Sequence, residues 1–460
     1  MKRYIYIPFC IAAVLFLGSC SKDIDEPTPN PPSEEPSEES PVNRWIYNTM
    51  KAEYYWASDM PIESQLNFGA EPDRFFLSLL SDSDGKHDAN RDYYYSEIEK
   101  TGNTRSGGME KSYGLVPCFY SYLNTDDLHM RIQYVVPGSP AEAAGIKRGD
   151  FFSKFNGIQI TNSNYLTLYE STSITTLTRI KIDPITLGII SQEEVSLPSA
   201  ESIHIDPFYK YTTFIANGMK ISYLMYSSFD SGYAPKMRSV FELFRSDPAN
   251  AFVLDLRLNS GGYIDCVQQL ATLLAPASAF GDRLFYLQYR GGNKVFYDFV
   301  EIDKQYNLNL NRLYVIVSGT TASSAELIIN SLKPYMGNNL IIVGTTTEGK
   351  NVASMQYVGR DASAGWSLYP ITSKIFNSKD ESNYSNGFAP YTNHWVSEWD
   401  KINAFDVWYE YGNPQEYLLK NVINVIQTGS VLNPPTRNQA LQEVIIPKKE
   451  SSMIIEYSQE

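Results

Sequence analysis

The sequence contains few histidines and cysteines, and its basic residues are outnumbered by acidic ones. Four His and four Cys occur among 460 residues, and 38 Lys and Arg face 52 Asp and Glu, which gives a net charge of −14. Four cysteines in so long a chain do not form a disulfide scaffold. An acidic chain lacks the basic face that phosphates require, so we expect no nucleic-acid partner. After residue 20, no stretch is long and apolar enough to form a membrane-spanning helix.

The N-terminal residues have the pattern of a secretory signal. A basic start precedes the apolar segment 4–17, which is too short to cross a bilayer as a helix. The following Leu-Gly-Ser-Cys20 resembles a bacterial lipobox, which implies a signal peptide over 1–19 and acylation of Cys20. Residues 20–42 are acidic and rich in proline, so they predict an extended linker. The resemblance to Bacteroidetes-type lipoproteins implies an extracytoplasmic protein that is lipid-anchored to the outer membrane, on its periplasmic face or at the cell surface.

Hydrophobic residues make up 43% of the chain, which is enough for two or three domains. Helical spacing predicts a small N-terminal helical domain over residues 43–111. Short strands and turns follow over 112–200, and strand–helix alternation over 201–430 predicts an α/β domain with a largely parallel sheet. Residues 431–460 are assigned as a C-terminal tail.

The block from Val135 to Ile160 predicts a short helix at Pro140 and a tight hairpin at Asn156-Gly157. This block closely resembles a PDZ domain, a mostly β fold that binds extended peptide C-termini by strand addition. The resemblance implies a carboxylate-binding loop at the following four positions: Tyr113, Gly114, Leu115 and Val116.

Three apolar runs in the α/β region predict buried strands, at 251–256, 313–317 and 340–343. Each run is followed by a loop of small and polar residues. In parallel sheets, chemistry gathers at the carboxyl ends of the strands, so we expect the functional site among these three loops.

Two common chemistries do not fit these loops. Gly344-x-x-x-x-Gly349-Lys350 resembles most of a phosphate-binding loop, but Asn351 stands where a Ser or Thr hydroxyl is needed for Mg²⁺. A Ser-His-Asp hydrolase would carry a G-x-S-x-G elbow, and the sequence has none. Paired-cysteine and HExxH spacings are also missing, so we expect no metal and no cofactor. Cys118 and Cys266 are expected to be buried thiols.

A serine–lysine pair fits better. Ser323 follows the second strand and opens a helix, and Lys350 lies in the loop after the third strand. A lysine accepts a proton when burial lowers its pKa, and backbone amides at Gly261-Gly262 and Ser324 are suited to bind an oxyanion. Each feature also has a purely structural interpretation. Ser323-Ser-Ala-Glu326 satisfies a helix capping box, Lys350 alone could be a loop cation, and the glycine pair a turn.

Together, the segments DLRLNSGG, TTASSAE and GTTTEGKNV resemble the tail-specific, C-terminal-processing serine peptidases. That family places a Ser–Lys dyad on a crotonase-like α/β core behind a PDZ domain. The resemblance implies Ser323 as nucleophile, Lys350 as general base, and Gly262 with the Ser324 amide as oxyanion hole.

Three departures from the family pattern affect these assignments. A second serine, Ser324, competes with Ser323. Ser354 stands where the family often has a lysine-orienting glutamine, and Gln356 follows two positions later. Glu348 replaces an aromatic residue, and a carboxylate there is expected to raise the pKa of Lys350.

The resemblance implies a serine endopeptidase that cleaves unstructured or C-terminally presented polypeptides delivered by the PDZ domain. The alternative is a catalytically weak or inactive surface lipoprotein that binds peptides through the PDZ domain. A third possibility is a glycan-binding lipoprotein, suggested by the 34 Tyr and 6 Trp. Oligomeric state and the role of residues 431–460 are not predicted.

Overall fold

The structure is a computed structural model, and it describes residues 39–88, 91–100, 111–122, 126–183, 188–398, 407–432, 441–444 and 454–455. The predicted signal peptide, Cys20 and most of the acidic linker lie outside the described residues.

Helices and short strands form the N-terminal region. Its elements are α1 (Pro41–Glu53), α2 (Pro72–Leu77), β1 (Lys86–His87), β2 (Asp92–Tyr93) and β3 (Glu97–Lys100). Pro41 lies in the first turn of α1, where its missing N–H has no bonding role. Ile46 and Met50 on the buried face of α1 pack with Phe75 of α2 and with Ile371 of the α/β region. The region contains helices, as predicted, and also three short strands that were not predicted; it rests directly on the α/β core.

A mostly antiparallel sheet with two short helices follows. Its elements are β4 (Lys111–Ser112), β5 (Leu115–Tyr122), β6 (Leu128–Val135), α3 (Pro140–Ala143), β7 (Phe151–Phe155), β8 (Ile158–Gln159), α4 (Tyr165–Tyr169), β9 (Thr176–Ile182), β10 (Ile189–Ser196) and β11 (Glu201–Ser202). The predicted helix begins at Pro140, and the hairpin between β7 and β8 turns at Asn156 and Gly157, both with positive φ. Both turn residues adopt the backbone that a two-residue hairpin requires.

Two five-stranded sheets and several helices form the α/β region. Its elements are β12 (Lys210–Ala216), β13 (Met219–Met225), α5 (Ala234–Ser246), β14 (Ala251–Asp255), α6 (Ile264–Leu274), β15 (Arg283–Tyr289), β16 (Lys294–Asp298), β17 (Leu313–Val317), α7 (Ser324–Met336), β18 (Leu340–Gly344), β19 (Val352–Met355), β20 (Tyr357–Val358), β21 (Trp366–Tyr369), β22 (Ile371–Asn377) and α8 (Tyr417–Thr428). β20 and β21 form a small sheet with β3 of the N-terminal region. Two strands follow later in the chain: β23 (Leu441–Val444) joins the sheet of β5, and β24 (Ile454–Ile455) joins a sheet of the α/β region. One sheet has the order β12-β13-β14-β17-β18, with parallel pairing from β13 onward. The other has the order β16-β15-β22-β19-β24.

Both faces of the parallel sheet are covered. Leu254 of β14 belongs to a hydrophobic cluster with α5, α6 and α7, while its neighbour Val253 belongs to a second cluster with α8. Burial on both faces explains why the sequence of β14 is continuously apolar rather than alternating. Cys118 and Cys266 are buried, as predicted.

Sheet order decides where the three predicted loops meet. β14, β17 and β18 are neighbours and parallel, so the loops after them leave the same edge of the sheet. β17 lies between the other two, which places Ser323 between the glycine pair and Lys350.

Candidate active site

Ser323 lies directly before α7 in a strained conformation. Its φ of 57° and ψ of −118° fall in a region that residues with a side chain rarely adopt. The residue is fully buried, and within the described part of the chain its Oγ has no hydrogen-bond partner. A buried hydroxyl without a partner is costly in a purely structural role. Ser323 does occupy the helix N-cap, and its backbone N–H donates to Glu326 Oε2 at 3.2 Å.

The structure distinguishes the two adjacent serines. The Ser324 hydroxyl donates to the Gly262 carbonyl at 2.7 Å, so it already has a partner. Gly261, by contrast, faces Ser323: a Cβ added at Gly261 would lie 2.7 Å from the Ser323 Cβ. Only glycine allows this approach, and its φ of 116° also favours glycine.

Two backbone amides remain available beside Ser323. The Gly261 N–H donates to Asn259 Oδ1 at 2.9 Å. For the N–H groups of Gly262 and Ser324, the described residues provide no hydrogen-bond acceptor. The Ser324 amide directly follows Ser323 at the start of α7, and the Gly262 amide directly follows Gly261, the residue that faces Ser323. The positions that sequence reasoning assigned to an oxyanion hole therefore carry available donors.

Lys350 is fully buried, and its ammonium lies over the ring of Tyr95, 4.9 Å from the centroid. Tyr95 comes from the N-terminal region, so that region helps to enclose the lysine. A cavity of about 370 Å³ opens next to this loop, with Gly349, Asn351 and Tyr95 among its lining residues. Lys350 is thus buried rather than on a solvated loop.

The Glu326 carboxylate joins the serine loop to the lysine loop. Its Oε2 accepts the backbone N–H of Ser323 at 3.2 Å and that of Lys350 at 2.8 Å. Its Oε1 accepts the Gly349 N–H at 2.7 Å and the Thr347 hydroxyl. Because one oxygen binds both amides, the backbones of Ser323 and Lys350 are held next to each other. Sequence reasoning treated Glu326 only as a helix cap; the S-x-x-E pattern was its one signal.

Glu326 is also electrostatically unusual. Burial raises its pKa to about 7, although four hydrogen bonds to the carboxylate favour the ionised form. Desolvation therefore outweighs hydrogen bonding at this position.

Glu348 points to the N-terminal region. Its Oε1 accepts the hydroxyl of Tyr93 at 2.6 Å and that of Tyr95 at 3.1 Å, and its Oε2 lies 3.8 Å from Arg91 Nη1. The carboxylate that sequence reasoning regarded as a threat to Lys350 thus has three partners in the N-terminal region. Its expected effect on the lysine stays a prediction.

The two candidate lysine-orienting residues differ in their surroundings. Ser354 is fully buried in β19. Gln356 is engaged elsewhere, because its side-chain amide donates to the Tyr369 hydroxyl at 2.8 Å.

The loop at Tyr113–Val116 lies at the start of β5. Gly114 has a φ of 76°, and a Cβ there would lie 2.2 Å from the Ser139 Cβ, so glycine is required. The Tyr113 hydroxyl donates to the Ile174 carbonyl at 2.8 Å. Phe119 of β5 contacts Tyr165 of α4, with ring centroids 5.3 Å apart. The loop therefore leads into β5, and β5 packs against α4.

A buried cluster of charges connects this sheet to the α/β core. Arg148 contacts Glu398 and Glu416, and Arg257 contacts the same two carboxylates and Asp255. We call these five side chains the arginine cluster. Arg257 follows the end of β14 and precedes the glycine loop by four positions. The cluster therefore holds the chain just before that loop. Sequence reasoning missed it; the charged residues flanking the apolar run at 251–256 were the available signal.

Searching the described residues for helices able to cross a membrane identified none of sufficient length and hydrophobicity.

Three family models match the chain. Peptidase family S41 matches residues 220–392, the peptidase S41 N-terminal domain matches residues 41–103, and a PDZ domain matches residues 131–167. Each match falls on a different one of the three regions described above.

Named relatives agree with the family models. Carboxyl-terminal-processing peptidase 2, chloroplastic, from Arabidopsis thaliana is 28% identical over 221 residues, or 46% of this chain and 40% of the relative. Carboxy-terminal processing protease CtpA from Bacillus subtilis is 22% identical over 271 residues, or 59% of this chain and 54% of the relative. The chain therefore spans about half the length of these curated relatives. A solved S41 protease structure from Bacteroides fragilis is 29% identical, with a TM-score of 0.71 over 83% of this chain and 97% of that one.

Proposed function

We propose that this chain, which belongs to peptidase family S41, is a serine endopeptidase that uses Ser323 and Lys350 as a catalytic dyad. The observation that carries the proposal is the shared contact with Glu326 Oε2, which holds both backbones beside a buried serine hydroxyl. The structural alternatives named for these residues explain neither the strained Ser323 backbone nor the burial of Lys350.

The proposed reaction proceeds through an acyl-enzyme. Ser323 Oγ attacks the scissile carbonyl carbon while the neutral Lys350 amine takes the hydroxyl proton, and burial favours the neutral amine. The carbonyl oxygen becomes an oxyanion that accepts hydrogen bonds from the amides of Gly262 and Ser324. The C–N bond then breaks, and the lysine returns the proton to the departing amine. Water releases the acyl group by the same steps in reverse order.

We further propose that polypeptide substrates reach the site through the PDZ domain. An extended peptide would add to β5, with its terminal carboxylate at the Tyr113–Val116 loop.

Acylation of Cys20, with the acidic linker as a spacer, would anchor the protein to the outer membrane. Labelling with tritiated palmitate in a bacterial host tests the anchor: Cys20→Ala should remove the label.

Paired serine substitutions test the dyad. Ser323→Ala and Lys350→Ala should each reduce cleavage of denatured casein by at least about 10³-fold, because each removes a group that reacts. Ser324→Ala is the matched control, since it keeps the backbone amide and removes only the hydroxyl bonded to Gly262. It should retain most activity. Circular dichroism and thermal melting verify that each variant is folded. Full activity of Ser323→Ala, or inactivity of Ser324→Ala alone, would contradict the assignment.

A second candidate function is peptide capture without cleavage. Its basis is the sequence expectation that Glu348, a carboxylate two positions before Lys350, raises the pKa of the lysine. Glu348→Phe separates the two functions. If capture is the native function, wild-type protein binds peptide without cutting it, and Glu348→Phe gains cleavage.

A further inference from the structure

The groove of the PDZ domain has an occupant within the same chain. Strand β23 (Leu441–Val444) pairs antiparallel with β5, the strand that begins at the candidate carboxylate-binding loop. β6 occupies the other edge of β5, so β23 takes the edge that a peptide ligand would use.

The direction of β23 is also that of a ligand. Leu441 lies opposite Tyr122 and Val444 lies opposite Phe119, so the tail runs toward the start of β5 and its loop. PDZ ligands run in this direction, because their C-terminal end meets the loop. Val444 lies opposite Phe119, three positions beyond Val116, and is followed by Ile445, so β23 presents no terminal carboxylate to the loop.

A second part of the same tail pairs with the sheet that carries the lysine loop. β24 (Ile454–Ile455) pairs parallel with β19 at Ser354 and Met355. β19 begins two positions after Lys350, and β24 lies at the end of this sheet. Two described pieces of one tail thus add as strands, one to β5 and one to the strand that follows the lysine loop.

We propose that the C-terminal tail is an intramolecular ligand of the PDZ groove that competes with polypeptide substrates for β5. An effect of the tail on cleavage rests on the proposed peptidase function. The competition between the tail and a peptide for β5 does not, because it concerns binding only. A substrate with a free C-terminus would add a contact between its terminal carboxylate and the loop, which β23 does not make. The free energy of that contact would favour the substrate over the tail.

The size of the effect follows from effective concentration. Only eight sequence positions, 433–440, separate β23 from Leu432, and a ligand joined to its site over a short stretch of chain has an effective concentration of about 1 mM. If the separate tail sequence binds with a dissociation constant of about 0.1 mM, the tethered copy weakens an outside peptide about ten-fold.

Fluorescence anisotropy tests the proposal, with a fluorescein-labelled peptide of residues 439–448 as the probe and Ser323→Ala as the background in every chain. A chain ending at Leu432 should bind the probe about ten-fold more tightly than the full chain. The double substitution Gln442→Pro/Glu443→Pro should do the same in the full-length chain, because successive N–H groups alternate in direction and proline removes both. Its matched control, Gln442→Ala/Glu443→Ala, keeps both N–H groups and should bind like the full chain.

Equal probe affinity in the full and shortened chains would overturn the proposal. So would tighter binding by the shortened chain with no effect of the proline pair, because the tail would then act without strand pairing. Since the background lacks Ser323 Oγ, neither result depends on cleavage. Conversely, if the chain ending at Leu432 with an intact Ser323 is inactive and the expected binding pattern is seen, the peptidase function is rejected and the tail proposal stands.

Discussion

Replacing the Glu326 carboxylate tests how the two active-site loops are held together. Glu326→Gln keeps the side-chain shape but exchanges one oxygen for an NH₂ group, which accepts no hydrogen bond. Oε1 now accepts from Thr347 and Gly349, and Oε2 accepts from the backbones of Ser323 and Lys350. Whichever way the amide is turned, two buried donors lose their acceptor.

The cost of this change depends on pH. Two unsatisfied buried donors cost about 2–6 kcal/mol. Against this, burial raises the pKa of Glu326 from 4.5 to about 7, so the ionised side chain destabilises the folded wild-type protein above that pH. Between pH 4.5 and 7 the folded protein binds a proton that the unfolded chain does not, so wild-type stability falls as pH rises. Glutamine has no such dependence. The stability lost on substitution should therefore be about 2–3 kcal/mol larger at pH 5 than at pH 8.

Urea denaturation followed by tryptophan fluorescence, at pH 5 and pH 8, measures both losses. Glu301→Gln is the control, because the same chemical change falls on a side chain that is 87% exposed. The control should show no difference in loss between the two pH values. A loss from Glu326→Gln that is equal at both would refute the buried-charge reasoning. No loss at pH 5 would show that the four donors do not depend on this carboxylate.

Two further substitutions test the surroundings of the site. Arg148→Met should lower the free energy of unfolding by about 3–5 kcal/mol, since it leaves the carboxylates of the arginine cluster with one cation. Urea denaturation measures the loss, and a loss below about 1 kcal/mol would contradict this expectation. Gly261→Ala should lower casein cleavage at least about ten-fold, because a Cβ there would lie 2.7 Å from the Ser323 Cβ and the chemistry tolerates little displacement. Gly157→Ala is the control: Gly157 also has a positive φ, but an added Cβ there would face open space, so the substitution should leave cleavage unchanged.

The location of the candidate site followed from local sequence patterns. Continuous apolar runs are a local property of strands buried on both faces, and they predicted β14, β17 and β18 in place. Parallel pairing of neighbouring strands then brings their carboxyl-end loops to one edge, which is why Ser323, Lys350 and the glycine pair were expected together. The helix at Pro140 and the hairpin at Asn156 followed from turn chemistry of the same local kind.

The pairings over long sequence distances were not accessible in this way. The bond from the Lys350 amide to Glu326 spans 24 positions, and the contact of Arg148 with Glu416 spans 268. Nothing in the neighbourhood of Glu326 distinguishes a carboxylate that joins two loops from one that only caps a helix.

The sequence by itself determined the secondary structure around the site, the residue types in its loops and the family, because these depend on short-range spacing. Only the tertiary structure decided that the Ser324 hydroxyl is bonded to Gly262 while that of Ser323 has no partner in the described part of the chain. It also decided that β23 lies on β5. Hydrogen-bond partners and strand neighbours depend on which distant segments meet, and that is settled by packing of the whole chain.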